Sequence, residues 1–379
     1  MCEVEQNFLT DNERHLIRRA FEALSVRTDE IVLVNQLGRY GKSGARLLLC
    51  LLRRDKTAFV VKIHRARKIT DEFQAIRSVK DYFPELDSVA EPPCAHRQGA
   101  LLYRHLGARF KKRLRSYTEL WKVAYDLSKS ETEITATFKE MWKCFQHARD
   151  GISIGAVTFS NQYKYYTRSD DFEPVLEAVF GNDRETKDFR FLDADITNPL
   201  GFIKDSGFKR LRRVKKGPVH GDLHANNVVI DNFGNVHLID FAWAERSKHV
   251  LVDYVLMECS LRFLLFPKPT NANYVNPSEQ LIADQWLLEE DGGERLQRDK
   301  WIGSRLGPYY RRLGTMVSAI RSEARDFMVS DGNGGFHEYL AAQFLVLFGQ
   351  MSYPDYNRLM VARALGLIAH KLREEGFGS

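Results

Sequence analysis

The feature that most constrains the fold is a polar segment set between short apolar runs, past the middle of the chain. The sequence HGDLHANN covers residues 220–227, and LIDF follows at 238–241. Between them, the apolar runs 228–230 and 236–239 flank a Gly/Asn turn. Two such runs with such a turn predict a β-hairpin. A hairpin this short brings its two ends together, so residues on either side of it can share one site.

Three side chains of this segment carry metal-binding chemistry. Asn227 comes five residues after Asp222, and Asp240 comes 18 residues after it. Carboxylate and amide oxygens are hard ligands of the kind that Mg²⁺ takes together with water and phosphate. In the alternative interpretation, Asp222 and Asn227 only cap a turn. That alternative explains one or two of the residues but not the whole set between two strands.

The composition is that of a globular protein rather than a fibrous, disordered or membrane protein. Apolar residues make up 44% of the 379 residues and charged residues 28%. No apolar run approaches the roughly 18 residues that a membrane-spanning helix needs, and the polar N-terminus has no secretory pattern. The five scattered cysteines have no zinc or disulfide spacing. We therefore expect a cytoplasmic protein that has reduced thiols and no membrane contact.

Upstream of the polar segment, the apolar spacing predicts a small β-rich lobe. A helix is predicted at 11–25 with Asp11 as its N-cap, and a second at 70–83 with Thr70 as its N-cap. From about residue 110 onward the spacing is mainly helical, apart from the hairpin. The predicted strands of the small lobe are 31–37, 45–53, 58–63 and 99–103.

The motif resembles that of a known enzyme superfamily. HGDLHANN followed by LIDF is similar to the catalytic loop and metal-binding segment of aminoglycoside phosphotransferases and choline kinases, which have a protein-kinase-like fold. The run 219–263 more specifically resembles the kinase-like ternary-complex-associated domains of bacterial conflict systems. The resemblance implies an α+β bilobal fold, with a small antiparallel β lobe and a larger, mainly helical lobe. It also implies that Asp222 is the catalytic base or hydroxyl-orienting group, and that Asn227 and Asp240 hold Mg²⁺ on the nucleotide phosphates.

A glycine-rich loop joins the first two predicted strands, where such a fold covers the nucleotide phosphates. Gly38, Gly41, Ser43 and Gly44 are the candidate nucleotide-binding residues, because glycine lets backbone N–H groups approach phosphate oxygens closely. The alternative is an ordinary hairpin loop. A P-loop is excluded, since its first glycine would fall at Gln36 and a strand rather than a helix follows.

Two further residues complete the expected nucleotide site. Lys62 is the single charged residue of the apolar run FVVKI at 59–63, and Glu72 lies early in the next predicted helix. In a kinase-like fold a lysine in this strand contacts the phosphates and a helix glutamate orients it. Alternatively, Lys62 is solvated at a sheet edge and Glu72 interacts with the helix dipole. Asp253 and Glu258, beyond the hairpin, are interpreted as structural residues that pair with Arg262.

We expect a nucleotide-binding lobe over residues 1–107 and a catalytic and substrate-binding lobe over 108–379. The expected activity is ATP- and Mg²⁺-dependent transfer of the γ-phosphate to the hydroxyl group of a small molecule. Gly221 and Ala242 replace the arginine and glycine of the protein-kinase motifs, which favours the small-molecule branch. The alternatives are a nucleotide-binding scaffold of a bacterial defence or signalling assembly, and a protein kinase.

The charge distribution gives a further hint about the acceptor. The net charge of +6 is too mild to indicate a nucleic-acid partner, and we expect none. Two basic runs, 109–115 and 209–216, could attract an anionic acceptor or dock a protein partner. In the alternative interpretation they are solvated faces. The sequence does not identify the acceptor, and it does not decide whether the nucleotide is ATP or GTP.

Overall fold

The computed structural model describes most of the chain. Gly38, Gly41, Ser43 and the basic run 109–115 lie outside the described residues, so the expectations for them stay predictions. The described residues are 9–27, 31–37, 44–53, 58–86, 89, 92–95, 97–104, 117–167, 177, 188–191, 194–204, 206–231, 234–266, 277–298, 306–329, 335–353 and 356–377.

The first third of the chain forms a five-stranded antiparallel sheet with two helices, which we call the small lobe. The strands lie in the order β1-β2-β3-β5-β4. All four predicted strands are present, and a two-residue strand is added at the edge. The elements are α1 Asp11–Glu22, β1 Ile31–Leu37, β2 Arg46–Leu52, β3 Ala58–Arg65, α2 Ala66–Val79, β4 Cys94–Ala95 and β5 Gln98–Arg104.

Alternation along β3 separates the two faces of this sheet. Phe59, Val61 and Ile63 are buried in the cluster that contains α1. Val60 is buried in the other cluster, with residues of α2 and the rest of the protein. Since successive side chains of a strand point to opposite faces, Lys62 shares the face of Val60. The lysine is therefore directed towards α2 and away from α1.

The N-terminus of α1 is fixed by a capping box one residue earlier than predicted. Thr10 is the N-cap rather than Asp11, because the Thr10 hydroxyl accepts the N–H of Glu13. The Glu13 carboxylate in turn accepts the N–H of Thr10 at 2.8 Å. The other Glu13 oxygen accepts from Arg46 of β2 at 2.6 Å, which ties the helix to the sheet.

Helix α2 begins at Ala66, four residues before the predicted start at Thr70. The Thr70 hydroxyl donates to the Ala66 carbonyl at 3.1 Å, which is a bond made inside a helix rather than at its cap. The prediction was wrong because β3 passes into α2 without a turn residue to mark the boundary. Glu72 consequently lies in the second turn, where it is buried and not near the helix N-terminus.

The remainder of the chain is larger and mainly helical. It contains two three-stranded sheets, ordered β13-β10-β7 and β12-β11-β6, and the pair β8-β9. Its elements are β6 Tyr117–Glu119, α3 Leu120–Ala124, α4 Glu131–Lys143, α5 Gln146–Asp150, β7 Ser153–Val157, α6 Phe159–Gln162, β8 Asp188–Phe191, β9 Ala194–Thr197, α7 Pro199–Phe202, β10 Arg212–Val219, β11 Val228–Asp231, β12 Val236–Leu238, β13 Glu245–His249, α8 Leu251–Cys259, α9 Pro277–Trp286, α10 Gly292–Arg298, α11 Gly307–Ala324, α12 Phe336–Gln350 and α13 Arg358–Glu374.

This arrangement confirms the predicted fold class. The chain is α+β and bilobal, with a small antiparallel β lobe and a larger helical lobe that carries the predicted hairpin as β11 and β12. The expected lobe boundary at 107/108 falls outside the described residues and stays a prediction. Among the described helices, none has the length and apolar character that crossing a lipid bilayer requires.

Helix α8 lies at the centre of the large lobe, and all nine of its residues are buried. Its Glu258 receives five hydrogen bonds of 2.8–3.0 Å, two of them from Arg321 of α11. The others come from Arg262, as expected from the sequence, and from Tyr339 and Gln343 of α12. The cluster joins three helices through one carboxylate.

We predict that Glu258→Gln lowers the free energy of unfolding by about 3–5 kcal/mol, because it leaves the buried Arg321 guanidinium without its counter-charge. The matched control is Glu294→Gln, which breaks an exposed pair with Arg298 on α10. It should cost at most about 1 kcal/mol. Urea denaturation of both variants measures the difference, and equal costs would contradict the structural role of Glu258.

The same cluster predicts a pH dependence of stability. Burial by itself raises the pKa of Glu258, but Arg321, Arg262 and Tyr339 lower it from its ordinary 4.5 to about 2. The unfolded chain therefore binds a proton at higher pH than the folded one. The stabilisation is complete above pH 4.5 and is lost as the pH falls towards 2. Wild type should show this loss, and Glu258→Gln should show a smaller one.

Candidate active site

Lys62 of β3 lies between two carboxylates from different parts of the chain. Its Nζ is 2.8 Å from Glu72 Oε2 on α2 and 2.6 Å from Asp240 Oδ1, just after the hairpin. The Tyr103 hydroxyl of β5 donates to the other oxygen of Glu72. The side chains of Lys62 and Glu72 are only 3% and 1% exposed, so this contact is shielded from water. We call Lys62, Glu72 and Asp240 the lysine triad.

One ammonium shared by two carboxylates sets the electrostatics of the triad. Burial lowers the pKa of Lys62, but Glu72 and Asp240 together raise it above its ordinary value, so the ammonium stays charged. Burial raises the pKa of Glu72 to about 7, against the opposing effect of Lys62. For Asp240, Lys62 outweighs burial and lowers the pKa. Asp240 therefore remains ionised in the triad.

Side chains of α8, and of Ser260 directly after it, hold the loop that precedes the hairpin. Asp253 accepts the backbone N–H groups of His220 and Gly221, both at 2.8 Å. The Ser260 hydroxyl accepts the N–H of Ala225 at 3.2 Å. Asp253 thus does not pair with Arg262, contrary to the sequence interpretation, and instead fixes the backbone immediately before Asp222.

His220 links this loop to the far end of the hairpin. Its Nε2 is 3.0 Å from the Ile239 carbonyl, and its Nδ1 is 3.4 Å from the Asp222 nitrogen. The ring also packs on Phe241, with centroids 4.4 Å apart. Burial lowers the pKa of His220 to about 4, so the ring is neutral near pH 7. A neutral ring that donates through Nε2 and accepts through Nδ1 satisfies both contacts.

Hydrogen bonds connect the segments that carry Asp222, Asn227 and Asp240. Asn227 Nδ2 donates to the Asp222 carbonyl at 2.8 Å, and the Asn227 carbonyl accepts the N–H of Ile239 at 3.0 Å. Asp240 has a left-handed backbone with φ of 68°, which aspartate tolerates better than most residues. Burial in the cleft, and then the charge of Asp240, raises the pKa of Asp222 to about 8. A third of the Asp222 side chain remains accessible.

The residues present fit a divalent cation. The Asn227 amide nitrogen is engaged, which leaves its oxygen as the end that can bind a metal. Asp240 contacts Lys62 through Oδ1, so Oδ2 is the oxygen directed elsewhere. Glu72 and Asp240 contact the Lys62 ammonium. Burial, and after it the negative charge of Asp240, raises the pKa of both Glu72 and Asp222, so added positive charge would be favourable here. Within the described residues, no group of three or more His, Cys, Asp or Glu side chains could hold a metal alone. Phosphate or water oxygens would therefore have to complete the coordination of Mg²⁺.

The remaining predicted residues are only partly located. Gly44 has φ of 76° and open space around it, and it stands just before β2. Gly38, Gly41 and Ser43 lie outside the described residues. In the basic run 209–216, Arg212 donates to the Phe377 carbonyl and its guanidinium lies 4.2 Å from the centroid of the Phe377 ring. Lys215 donates to the Asp326 carbonyl. These two basic residues hold parts of the large lobe together.

Sequence reasoning missed Tyr103 and the role of Asp253. Tyr103 lies two residues after Leu101, the pairing partner of Lys62, so strand alternation places it on the same face of the sheet. That alternation was a usable signal. Asp253 had no comparable signal, because its partners are backbone N–H groups more than 30 residues away.

A match to a protein-family model supports the resemblance seen in the sequence. The family model described as ternary complex associated domain 9 matches residues 164–348, just under half of the chain. This match confirms the predicted resemblance to ternary-complex-associated domains. It includes Asp222, Asn227 and Asp240, whereas Lys62 and Glu72 lie outside it. No curated protein sequence matches the chain at a significant level.

Several solved structures are similar at low identity. A thermostable mutant of aminoglycoside phosphotransferase APH(4)-Ia, in a ternary complex with ADP and hygromycin B, is 12% identical, with 96% of this chain and 99% of that chain covered and a TM-score of 0.48. Choline kinase LicA from Streptococcus pneumoniae is 15% identical, with 90% and 100% covered and a TM-score of 0.34. Plasmodium vivax ethanolamine kinase is 10% identical, with 97% and 89% covered and a TM-score of 0.34.

We predict that Gly221→Ala disrupts the loop that carries Asp222. Gly221 has φ of 79°, and a Cβ there would overlap the carbonyl oxygen of Trp243. Because backbone meets backbone, the overlap cannot be relieved by a side-chain rotation, and thermal unfolding should shift by several degrees. The matched control is Gly234→Ala in the hairpin turn, with φ of 84° and open space around it. It should cost only the conformational strain of about 1–2 kcal/mol. Equal shifts would contradict the packing explanation.

Proposed function

We propose that this protein is an ATP-dependent phosphotransferase that moves the γ-phosphate to the hydroxyl group of an acceptor. The observation that carries the proposal is the convergence of five residues from two lobes: Lys62, Glu72, Asp222, Asn227 and Asp240. The site holds a buried lysine with two carboxylate partners, a further carboxylate that is partly accessible, and an amide oxygen. Phosphoryl transfer requires these parts. The aminoglycoside and choline kinase resemblance of the sequence points to the same chemistry.

In this proposal the small lobe, expected over residues 1–107, binds the nucleotide. Lys62 donates hydrogen bonds to phosphate oxygens, and Glu72 holds the ammonium in position. Tyr103 in turn holds Glu72 from the opposite side. The loop of Gly38, Gly41, Ser43 and Gly44 covers the phosphates with backbone N–H groups. The lobe over 108–379 supplies the remaining groups.

Asn227 and Asp240 hold the metal through the oxygens that their present contacts leave available. Bound Mg²⁺ supplies positive charge that offsets the charge developing on the transferred phosphoryl group. The amide of Asn227 is oriented by its bond to the Asp222 carbonyl, and Asp240 is oriented by Lys62. Both ligands are thus positioned before the nucleotide arrives, which reduces the cost of ordering them.

Asp222 acts on the acceptor. In its ionised form, which the positive charge of Mg²⁺ favours, the Asp222 carboxylate orients the hydroxyl and accepts its proton while the hydroxyl oxygen forms a bond to the γ-phosphorus. The bond from that phosphorus to the bridging oxygen breaks, and ADP leaves with the electron pair. Asp253 and His220 keep Asp222 in place through the loop backbone. Positioning and charge, rather than covalent catalysis, account for the rate in this scheme.

We predict that Asp222→Asn lowers transfer from Mg-ATP by about 10²- to 10⁴-fold, because the proton acceptor is lost. Nucleotide affinity should stay nearly unchanged, since Asp222 does not hold the phosphates. Turnover is measured by ADP formation with a panel of alcohol acceptors, and binding by calorimetry. The matched control is Asp195→Asn, an exposed aspartate in the β8-β9 pair, which should change neither value.

Asp240→Asn should weaken nucleotide binding, whereas Asp222→Asn should mainly slow the transfer step. Removing the metal-binding charge is expected to weaken Mg-ATP binding by at least about tenfold, or 1.4 kcal/mol.

Full turnover in Asp222→Asn would contradict the assignment of Asp222. Mg-ATP binding without transfer to any hydroxyl acceptor would instead indicate a nucleotide-binding scaffold, which is consistent with the family match.

A further inference from the structure

Strand β7 lies at the edge of the sheet β13-β10-β7, and among the strands that the structure describes β10 alone pairs with it. In an antiparallel pair, every second residue of an edge strand directs its backbone N–H and C=O away from the neighbouring strand. Proteins commonly protect such an edge with charged side chains or proline. The sequence of β7, SIGAV at 153–157, contains neither. The edge is therefore a template on which a further strand can pair.

The pairing register between β7 and β10 sorts the side chains of this edge onto two faces. Arg213 pairs with Ala156, and Lys215 pairs with Ile154. Since directly paired residues and every second residue along a strand share a face, these four side chains lie on one face of the sheet. Val214, between the two basic residues, lies on the other face and is buried in the core. The face of Arg213 and Ile154 is therefore the outer one.

The position of Lys216 agrees with this sorting. A Cβ on Gly155 would be 3.0 Å from the Lys216 Cδ, so the lysine side chain crosses β7 at the glycine. Gly155 is the pairing partner of Val214, which places this contact on the inner face. The side chain of Lys216 is thus committed to the inner face, and Arg213 and Lys215 supply the charge of the outer one.

The outer face combines exposed apolar and basic side chains. Ile154 is 53% exposed. Leu211 continues the alternation two residues before Arg213 and is 74% exposed, the largest value among the large apolar side chains of the described residues. Ala156 and Arg213 are also exposed, and Lys215 is half-buried at the border. Exposed apolar surface of this kind marks an interaction site. We call these five residues the β7 face.

We propose that the β7 face docks an extended segment of a partner protein, which adds to the sheet as a fourth strand and carries an apolar and an acidic side chain two residues apart. Side chains with this spacing share a face of a strand. The apolar side chain packs on Ile154, and the carboxylate meets Arg213 across the small side chain of Ala156. Backbone hydrogen bonds supply the affinity, and the two side-chain contacts supply the specificity. Docking at this edge requires none of the residues assigned to phosphoryl transfer.

The charge around the face favours an acidic partner over a second copy of the chain or a nucleic acid. Lys209 and Arg210, directly before Leu211, are exposed and extend the basic surface, whereas Asp150 precedes the opposite end of β7. A second copy that paired β7 with β7 would present the same basic face and offer no carboxylate to it. The exposed apolar side chains here are aliphatic, so they give nucleic-acid bases no aromatic surface for stacking. The basic run 209–216 thereby acquires a binding role.

The test uses the full chain and a fluorescent nine-residue peptide in which threonine alternates with valine and glutamate, so that the valine and glutamate side chains share one face. Binding is measured by fluorescence anisotropy, and we expect it to weaken as the salt concentration rises. Two control peptides should not bind. One carries lysine in place of glutamate, and the other is N-methylated throughout, so that it donates no backbone hydrogen bond.

Substitutions on the β7 face separate its two contacts. Arg213→Glu should weaken the affinity for the peptide at least about tenfold, because it reverses the charge that the glutamate meets. Ile154→Ser should weaken it several-fold through the loss of apolar contact. The matched controls are Lys139→Glu, an exposed basic residue of α4, and Leu359→Ser, an exposed apolar residue of α13, and neither should change the affinity. All four positions are exposed, so the thermal unfolding of the variants should stay close to that of wild type.

Hydrogen exchange measured by mass spectrometry locates the added strand. The peptide should slow exchange of the backbone amides of 153–157, and Mg-ATP should not. No binding, binding of the N-methylated peptide, binding without this protection, or an unchanged affinity in Arg213→Glu would overturn the inference. Tighter binding of a thymidine oligonucleotide through Arg213 would assign the face to nucleic acid instead. A dimer in sedimentation that protects 153–157 without the peptide would assign it to a second copy of the chain.

Discussion

The lysine triad is the interaction on which the rest of the site depends. Lys62 comes from the sheet, Glu72 from the helix beside it, and Asp240 from the end of the hairpin in the large lobe. An ammonium buried without partners would cost several kcal/mol, and Glu72 and Asp240 together remove that cost for Lys62. The triad therefore fixes the position of one lobe relative to the other, and it places Asp240 where a metal ligand is needed.

The opposite side of the site depends on α8 and on Ser260, the residue directly after it, whose buried polar side chains contact specific partners. Asp253 holds the loop that carries Asp222, Ser260 holds the next turn of that loop, and Glu258 anchors the helix to α11 and α12. Buried polar groups are tolerated only when they are hydrogen-bonded, so each of these contacts restricts the position of the helix. These contacts hold the loop that carries Asp222, whose carboxylate is partly accessible.

The parts of the fold that could be predicted from the sequence are those encoded by neighbouring residues. The four strands of the small lobe and the hairpin follow from alternation and turn residues, and Asp222, Asn227 and Asp240 are grouped by that hairpin. The start of α2 was misplaced because β3 enters it without a turn. The role of Asp253 could not be predicted, because its partners are distant in sequence.

The most direct measurement of the central claim is a crystal structure of the protein with AMP-PNP and Mn²⁺, whose anomalous signal locates the metal. The account predicts Mn²⁺ on the side-chain oxygens of Asn227 and Asp240, with the phosphates beside Lys62 and the terminal phosphate facing Asp222. A metal bound elsewhere, or a nucleotide outside the cleft between the lobes, would contradict the assignment of these residues to phosphoryl transfer.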